Sequence, residues 1–315
     1  MSQPAFQRRQ LLQWAALGSA ALVLTPRAWT QTRVDRTPFL LGVASGSPTH
    51  DSVVLWTRLM LPIFQSSGSL GVSVRWEVAH DDKFTRMAQS GQSLAVAGLA
   101  YSVHAEVQGL EPNRWYFYRF RVGDAVSCIG RTRTFPAPDA ATAGMRLAYA
   151  SCQRWEHGYF SAYRHMAEEN LDLVMFLGDY IYEYPRASNA VRTQPGGWTL
   201  SLDDYRQRYA TYKQDRDLQA MHAACPWLVT WDDHEVQNDY AGLTMGENGP
   251  EVTDFASRRS AAHQAFYDHM PVRASVLTKA VAGLASGAEM RIYSSARYGR
   301  LATLTMLDAR QYKSP

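Results

Sequence analysis

The chain has 315 residues, of which 46% are hydrophobic, so it can bury the core of one large domain or two ordinary ones. This composition argues against an intrinsically disordered chain. The sequence carries 32 basic against 29 acidic residues, a formal net charge of +3. Its three cysteines, at positions 128, 152 and 225, are too few for a disulfide scaffold, although they leave room for one bridge.

The first 30 residues have the layout of an export signal. They contain no acidic residue, include the pair Arg8 and Arg9, and continue as an apolar run from Leu11 to Leu24. A membrane span needs about 20 apolar residues, so we expect no stable membrane anchor. The paired arginines indicate the twin-arginine export machinery. The sequence therefore predicts a signal peptide over 1–30 and a periplasmic or secreted location.

Removal of this leader takes away three arginines and no acid, which leaves 29 basic against 29 acidic residues. A neutral chain without clustered basic residues carries no signal for nucleic-acid binding and none for a polybasic membrane contact. We expect neither class of partner for the exported chain.

Residues 36–136 are predicted to form an antiparallel β-sandwich. Apolar and polar residues alternate with period two in three segments, at 52–59, 73–80 and 101–107. Leu110, Pro112 and Tyr116 are spaced as in the tyrosine corner of immunoglobulin and fibronectin-type sandwiches. Because the segment gathers no convergent acid, base and nucleophile, we interpret it as an accessory domain.

After a linker at 136–144 that is rich in Ala and Pro, the pattern changes to strand, helix, strand. Strands are predicted at 145–152, 171–179, 226–235 and 300–308, with a helix at 159–170. The strand that ends at Asp179 is a nearly continuous apolar run, which is typical of a parallel sheet covered by helices. Residues 145–315 are therefore predicted to form an α/β domain.

Reactive residues stand at the carboxyl ends of these predicted strands. They are Cys152, Asp179, the group Asp232, Asp233 and His234, and Asp308. Ligands of open α/β sheets bind just outside the carboxyl ends of the strands, so we expect one shared site. Asp308 taken alone is more typical of a turn. The adjacent Asp232 and Asp233 repel each other unless a cation or hydrogen bonds compensate, which favours a functional interpretation.

The predicted site contains a mixed set of soft and hard metal ligands. Tyr182 follows Asp179 by three residues and can reach the same point as Cys152. Phenol and thiol have ordinary pKa values of about 10 and about 8.5, so both coordinate near neutral pH only beside a strongly polarising cation. Ferric iron meets that demand better than zinc. Carboxylates and an amide such as Asn238, with Asp239 as the alternative, suit calcium, magnesium or manganese.

The motifs along nearly the whole chain resemble those of the PhoD-like alkaline phosphatases, in the metallophosphoesterase group. The most specific are YASCQRWEHGYFSAYRHMAEEN at 149–170, FLGDYIYEY at 176–184, TWDDHEVQNDY at 230–240 and MLDARQYKSP at 306–315. The resemblance implies a metallophosphoesterase-type α/β domain, with a central sheet flanked by helices, preceded by an immunoglobulin- or fibronectin-like sandwich. It also implies an exported enzyme that hydrolyses small-molecule phosphate esters by metal-activated water or hydroxide.

The resemblance further implies which residues hold metals. They are Cys152, Asp179 and Tyr182 for ferric iron (Fe3+), with Asp179 bridging to calcium (Ca2+), and Asp233 and Asn238 for calcium. His234 is expected near the phosphate, where its protonated ring assists the leaving group or binds a phosphate oxygen. No G-x-S-x-G motif offers a serine nucleophile.

The resemblance also implies a further Asp and His motif after the MLDARQY segment, so we expect this chain to be a fragment or a C-terminally truncated form. Two alternatives to the phosphomonoesterase stay open. One is a phosphodiesterase or phospholipase D-like enzyme of the same family, with the polar segment 185–200 as a substrate-facing loop. The other is an inactive truncated form that binds only a partner or a single metal ion.

Overall fold

The computed structural model describes residues 37–60, 71–185, 188–277 and 290–315. The predicted export signal at 1–30 lies outside these ranges. Among the helices of the described residues, none combines the length and the apolar character needed to cross a membrane. All three cysteines are free thiols, and Cys225 is buried.

The first part of the described chain forms eight strands. They are β1 Val43–Gly46, β2 Val53–Arg58, β3 Val72–Ala79, β4 Met87–Ala95, β5 Ser102–Val107, β6 Trp115–Val122, β7 Ala125–Val126 and β8 Gly130–Arg133. One sheet has the order β4-β3-β6-β7, with β8 also paired to β6. Buried and half-buried residues alternate along the whole of β6. The same period of two predicted the strands at 52–59, 73–80 and 101–107, which correspond to β2, β3 and β5.

The second part alternates strands and helices. They are β9 Leu147–Ala150, α1 Ala162–Glu168, β10 Leu173–Phe176, α2 Leu202–Tyr212, α3 Arg216–Ala224, β11 Trp227–Val229, α4 Phe255–His269, β12 Ser294–Tyr298 and β13 Ala302–Met306. Side chains cap three of the helices, because Ser201, Asp215 and Asp254 each accept from a backbone N–H of the first turn. Strands β9, β10 and β11 are parallel, as the apolar runs predicted.

One mixed sheet crosses the predicted boundary between the two parts. Its order is β5-β2-β1-β11-β10-β9, and β1 pairs parallel with β11 through Gly46 and Trp227. A Cβ at Gly46 would lie 2.5 Å from the carbonyl oxygen of Pro271, so only glycine allows this approach. The N-terminal strands therefore extend the parallel sheet, a connection that the sequence did not predict.

The prediction that the strand at 300–308 joins the parallel sheet is wrong. Strand β13 pairs antiparallel with β12 in a separate hairpin. The hairpin packs on the parallel sheet through Tyr298 and Met306, which share a buried cluster with Leu173 and Leu228. Exposure alternates along β13, as expected for a strand with one covered face, whereas a central parallel strand is buried on both faces.

Candidate functional site

The three parallel strands end in register, so the loops that follow them begin at one edge of the sheet. Cys152 comes two residues after β9, Asp179 three residues after β10, and Asp233 four residues after β11. The sulfur of Cys152 lies 3.4 Å from Oδ2 of Asp179. The structure therefore brings these predicted residues to one place.

The backbone around Asp179 has an unusual conformation. Asp179 has a φ of 58° and Cys152 a φ of 57°, in the left-handed region that non-glycine residues rarely adopt. Gly178 has a φ of 109°, and a Cβ there would lie 2.4 Å from the backbone nitrogen of Asp232. Glycine at 178 is thus needed for the loop after β10 to approach Asp232 in the loop after β11.

One carboxylate oxygen of Asp179 has hydrogen-bond partners, and the other has none among the described residues. Oδ2 accepts from the Cys152 thiol and from the Tyr182 hydroxyl, the latter at 3.3 Å. Oδ1 has no hydrogen-bond partner within the described ranges, although the residue is only 6% exposed. Ligand atoms of Asp179, Asp233 and His234 lie within 4.8 Å of one another. A buried carboxylate oxygen without a partner is costly, so this arrangement suits a cation.

The pKa of the Asp179 carboxyl also reflects the unfavourable burial of its charge. Burial raises it to about 6, against the lowering effect of the neighbouring His234 and with a further raising effect of Asp233. A cation at this point would offset the burial and keep the carboxylate ionised.

Glu235 joins the two loops that carry Asp179 and Asp233. Its buried carboxylate accepts from the backbone nitrogens of Asp179 at 3.1 Å, Tyr180 at 2.6 Å and Asp232 at 2.9 Å. Burial, followed by the charge of Asp179, raises the pKa of Glu235 to about 8. Sequence reasoning missed this residue, although it directly follows the histidine of the WDDHE motif.

His234 is held by Glu183, a second residue that sequence reasoning missed. Nδ1 of His234 lies 2.7 Å from Oε2 of Glu183. Burial alone would lower the pKa of His234, but the hydrogen bond and charge of Glu183, with the charges of Asp179 and Asp233, raise it above its usual value. The ring of Tyr182 packs 4.1 Å from the His234 ring, centroid to centroid. His234 therefore holds a proton more readily than a free histidine.

Arg310 supplies the compensating charge that the two adjacent acids of the WDDHE motif need. Its Nε donates to Asp232 Oδ1 at 2.5 Å, and its terminal nitrogens lie 3.3 Å from Asp233 Oδ2 and 3.5 Å from Asp239 Oδ1. Burial lowers the pKa of Arg310, but the hydrogen bonds and negative charges of these acids have the larger effect and raise it above its usual value. An internal cation thus relieves the repulsion between Asp232 and Asp233.

Asp308, by contrast, forms a turn, as expected for this residue taken alone. Its Oδ1 accepts from the backbone nitrogens of Arg310 at 3.0 Å and Gln311 at 2.9 Å. The side chain of Gln311 donates to the other oxygen at 2.6 Å. The turn presents Arg310, and not the carboxylate of Asp308, to the WDDHE loop.

Asn238 lies in the same loop as Asp233 and is bound at two points. Its backbone nitrogen donates to Oε1 of Glu183 at 2.7 Å, and its side-chain nitrogen donates to Asp239 at 3.2 Å. Asp239 in turn donates its backbone N–H to Asp233 at 2.7 Å. The loop therefore places Asn238 one hydrogen bond from Glu183 and close to the acids around Asp233.

An aromatic wall stands next to His234. We use this name for Tyr184 and Trp198, whose ring centroids are 5.0 Å apart. The Tyr184 ring lies 5.9 Å from the His234 ring, and the Arg154 guanidinium lies 4.5 Å from the centre of the Tyr184 ring. Trp198 belongs to the segment 185–200, so part of the predicted substrate-facing loop reaches the site.

Known proteins match both parts of the chain. The sequence model of the PhoD-like phosphatase family matches residues 147–315, and that of its N-terminal domain matches residues 24–136. Alkaline phosphatase D of Bacillus subtilis (strain 168) is 49% identical over 283 residues, which are 88% of this chain and 47% of that protein. A solved structure described as "Structure of PhoD" is 48% identical with a TM-score of 0.82, and the match covers 90% of this chain and 54% of that one. The chain thus spans about half the length of both relatives.

Proposed function

Because the chain belongs to the PhoD-like phosphatase family, we propose that it is an exported, metal-dependent phosphatase acting on small phosphate esters. The observation that carries this proposal is the buried Asp179, which clusters with Asp233 and His234 and whose Oδ1 has no hydrogen-bond partner in the described part of the chain. Export by the twin-arginine machinery to the periplasm or the medium rests on the composition of residues 1–30.

The donor atoms at this edge fit ferric iron and calcium. The thiol of Cys152 and the phenol of Tyr182 both meet the carboxylate of Asp179, and its second oxygen has no other use among the described residues. We assign iron to these three residues and calcium to Asp179, Asp233 and Asn238. Bound there, the two cations would supply positive charge for the phosphate oxygens and lower the pKa of a bound water.

The chain's own residues prepare the rest of the reaction. His234, protonated more readily than usual, donates to a phosphate oxygen or to the leaving oxygen of the ester. Tyr182 packs against its ring and limits its rotation. Glu235 keeps the loops of Asp179 and Asp232 together through three backbone hydrogen bonds, so the acids remain in place without substrate.

We also propose that residues 36–136 are an immunoglobulin- or fibronectin-like accessory domain and that residues 145–315 are a metallophosphoesterase-type domain. The backbone nitrogen of Glu111 donates to the hydroxyl of Tyr116 at 2.9 Å, which supports the tyrosine corner. Strand β1 lies next to β11 in the mixed sheet. The accessory domain therefore acts by supporting a strand that leads into the site.

A phosphodiesterase is the second candidate, and the aromatic wall favours it. Tyr184 and Trp198 lie beside His234 and offer apolar surface to the second organic group that a diester carries. A monoester has no second organic group and would therefore make no contact with this apolar surface. Selectivity between the two esters is therefore expected to change in Trp198→Ala more than in variants away from the wall.

The test combines elemental analysis of the purified 315-residue chain with hydrolysis of a chromogenic phosphomonoester and a matching diester. Iron and calcium together with turnover would support the proposal, and the preferred ester would choose between the two candidates. Asp179→Asn should lose both metals and turnover, whereas Asp139→Asn, an exposed acid in the linker, should keep them. A chain without metal or turnover would instead be the inactive binding form.

A further inference from the structure

Glu183 is a fully buried carboxylate shared by two groups of the WDDHE loop. It is 0% exposed. Its Oε2 lies 2.7 Å from Nδ1 of His234, and its Oε1 accepts from the backbone nitrogen of Asn238, also at 2.7 Å. Glu183 thus connects the segment after β10 to the loop after β11 with both of its oxygens.

The contact between Glu183 and Nδ1 determines which ring nitrogen of a neutral His234 carries the proton. An ionised carboxylate can only accept hydrogen bonds, so the short contact at Nδ1 requires a proton on that nitrogen. A neutral imidazole carries one proton, which leaves Nε2 with its lone pair. Because Nδ1 is taken up by Glu183, Nε2 is the nitrogen of His234 available to the cluster with Asp179 and Asp233.

We propose that Glu183 is a positioning residue, which holds the Nδ1 proton of His234 and so selects the Nδ1-protonated tautomer of the neutral ring. Nε2 is then left to face the metal cluster with its lone pair or, when the ring is protonated, to donate to the phosphate. The neighbouring rings reinforce this choice, since Tyr182 lies 4.1 Å and Tyr184 5.9 Å from the His234 ring. The catalytic consequence rests on the proposed phosphatase function, but the tautomer itself does not.

Glu183→Gln is the variant that separates this role from simple packing, because it changes one oxygen to an amide nitrogen at nearly constant volume. The backbone N–H of Asn238 still requires an acceptor, so it keeps the amide oxygen. The amide nitrogen then faces Nδ1 of His234 as a donor. His234 must respond by moving its proton to Nε2, which is the opposite tautomer.

The readout is nitrogen NMR of the full chain labelled with 15N-histidine and grown in calcium without added iron, so that no paramagnetic ion broadens the signals. Measured at alkaline pH, the shifts distinguish a ring protonated on Nδ1 from one protonated on Nε2. His234→Asn identifies the signal by its loss. Glu106→Gln is the matched control, because Glu106 also accepts from a backbone nitrogen, that of Ala274 at 2.7 Å, but far from His234 in the chain.

We expect Nδ1 protonation in the wild type, in Glu183→Asp and in Glu106→Gln, and Nε2 protonation in Glu183→Gln. A wild-type ring protonated on Nε2 would overturn the proposal even if the glutamine variant failed to fold. An identical tautomer in the wild type and in a folded Glu183→Gln would also overturn it.

Turnover provides the second readout. Glu183→Gln should lower kcat by about 10- to 100-fold with little change in KM, the size of effect typical for partners of active-site ligands. If Glu183→Gln switches the tautomer of His234 but leaves kcat unchanged, Glu183 has no role in catalysis. Absence of hydrolysis in the wild type would contradict the proposed function and leave the tautomer result intact.

Discussion

Nε of Arg310 lies 2.5 Å from Oδ1 of Asp232, and the same guanidinium reaches Asp233 and Asp239. The repulsion between the adjacent acids Asp232 and Asp233 predicted a compensating cation or hydrogen bonds, and Arg310 provides both. It comes from the turn after β13, which links the hairpin to the WDDHE loop. The hairpin is therefore tied to the candidate site although it does not extend the parallel sheet.

Arg310→Gln should destabilise the chain by about 1–3 kcal/mol, because the acids lose their charge-assisted partner and repel one another. Calcium should restore more stability to this variant than it adds to the wild type, since a cation can replace the guanidinium. Urea unfolding with and without calcium measures both effects. Arg300→Gln, on the exposed turn between β12 and β13, is the control. Equal stability of the two variants would contradict the role of Arg310.

Tyr182→Phe should abolish the visible tyrosinate-to-iron absorption band of the iron-loaded protein, because that band requires a phenolate bound to ferric iron. The fold should remain, since the hydroxyl of this half-buried residue contacts side chains of the candidate site, Asp179 at 3.3 Å and Cys152. Absorption spectra with circular dichroism check both statements. Tyr184→Phe removes a hydroxyl two residues away and should keep the band. A spectrum unchanged in Tyr182→Phe would rule out Tyr182 as a ligand.

Cys152→Ser should lower the iron content of the purified chain, because a hydroxyl is a much weaker ligand than a thiolate for a polarising metal. Calcium content should change less, since calcium prefers oxygen ligands. Cys128→Ser, another exposed cysteine, serves as the control in the same elemental analysis. Full iron content in Cys152→Ser would show that the Cys152 thiol is not an iron ligand.

Lys213→Met should stabilise the protein near neutral pH and lose that advantage as the pH rises. Lys213 is 1% exposed, with Nζ 4.4 Å from the centre of the Trp56 ring, and burial lowers its pKa from 10.5 to about 7. Between these values the unfolded chain binds a proton that the folded chain does not, so the wild type gains stability with pH. The slope approaches about 1.4 kcal/mol per pH unit.

Urea unfolding between pH 7 and pH 10 measures that difference for Lys213→Met against the wild type. The two curves should converge as the pH approaches 10.5, because the unfolded chain then also loses the proton that the folded chain has already released. For Lys313→Met, at an exposed position, the curve of unfolding free energy against pH should run parallel to that of the wild type. Parallel curves for Lys213→Met as well would show that Lys213 stays charged in the folded protein.

Local patterns in the sequence were sufficient to predict three strands of the accessory part, the three parallel strands and the residues at their ends. Asp179 illustrates why. An apolar run, a glycine and an acid are features of neighbouring residues, and the rule that ligands meet strand ends needs no knowledge of distant contacts. The placement of Cys152 and Asp179 side by side followed from that rule.

Long-range pairing decided what the local patterns could not. Glu183 and His234 are 51 positions apart, and Arg310 and Asp232 are 78 positions apart, so no periodicity connects either pair. The joining of β1 to β11 and the separation of β13 from the parallel sheet likewise depend on which backbone groups meet after the chain has closed. The sequence by itself determined which chemical groups reach the site, and only the tertiary structure decided which buried charges hold them in place, because hydrogen bonds and ion pairs depend on distances that folding creates.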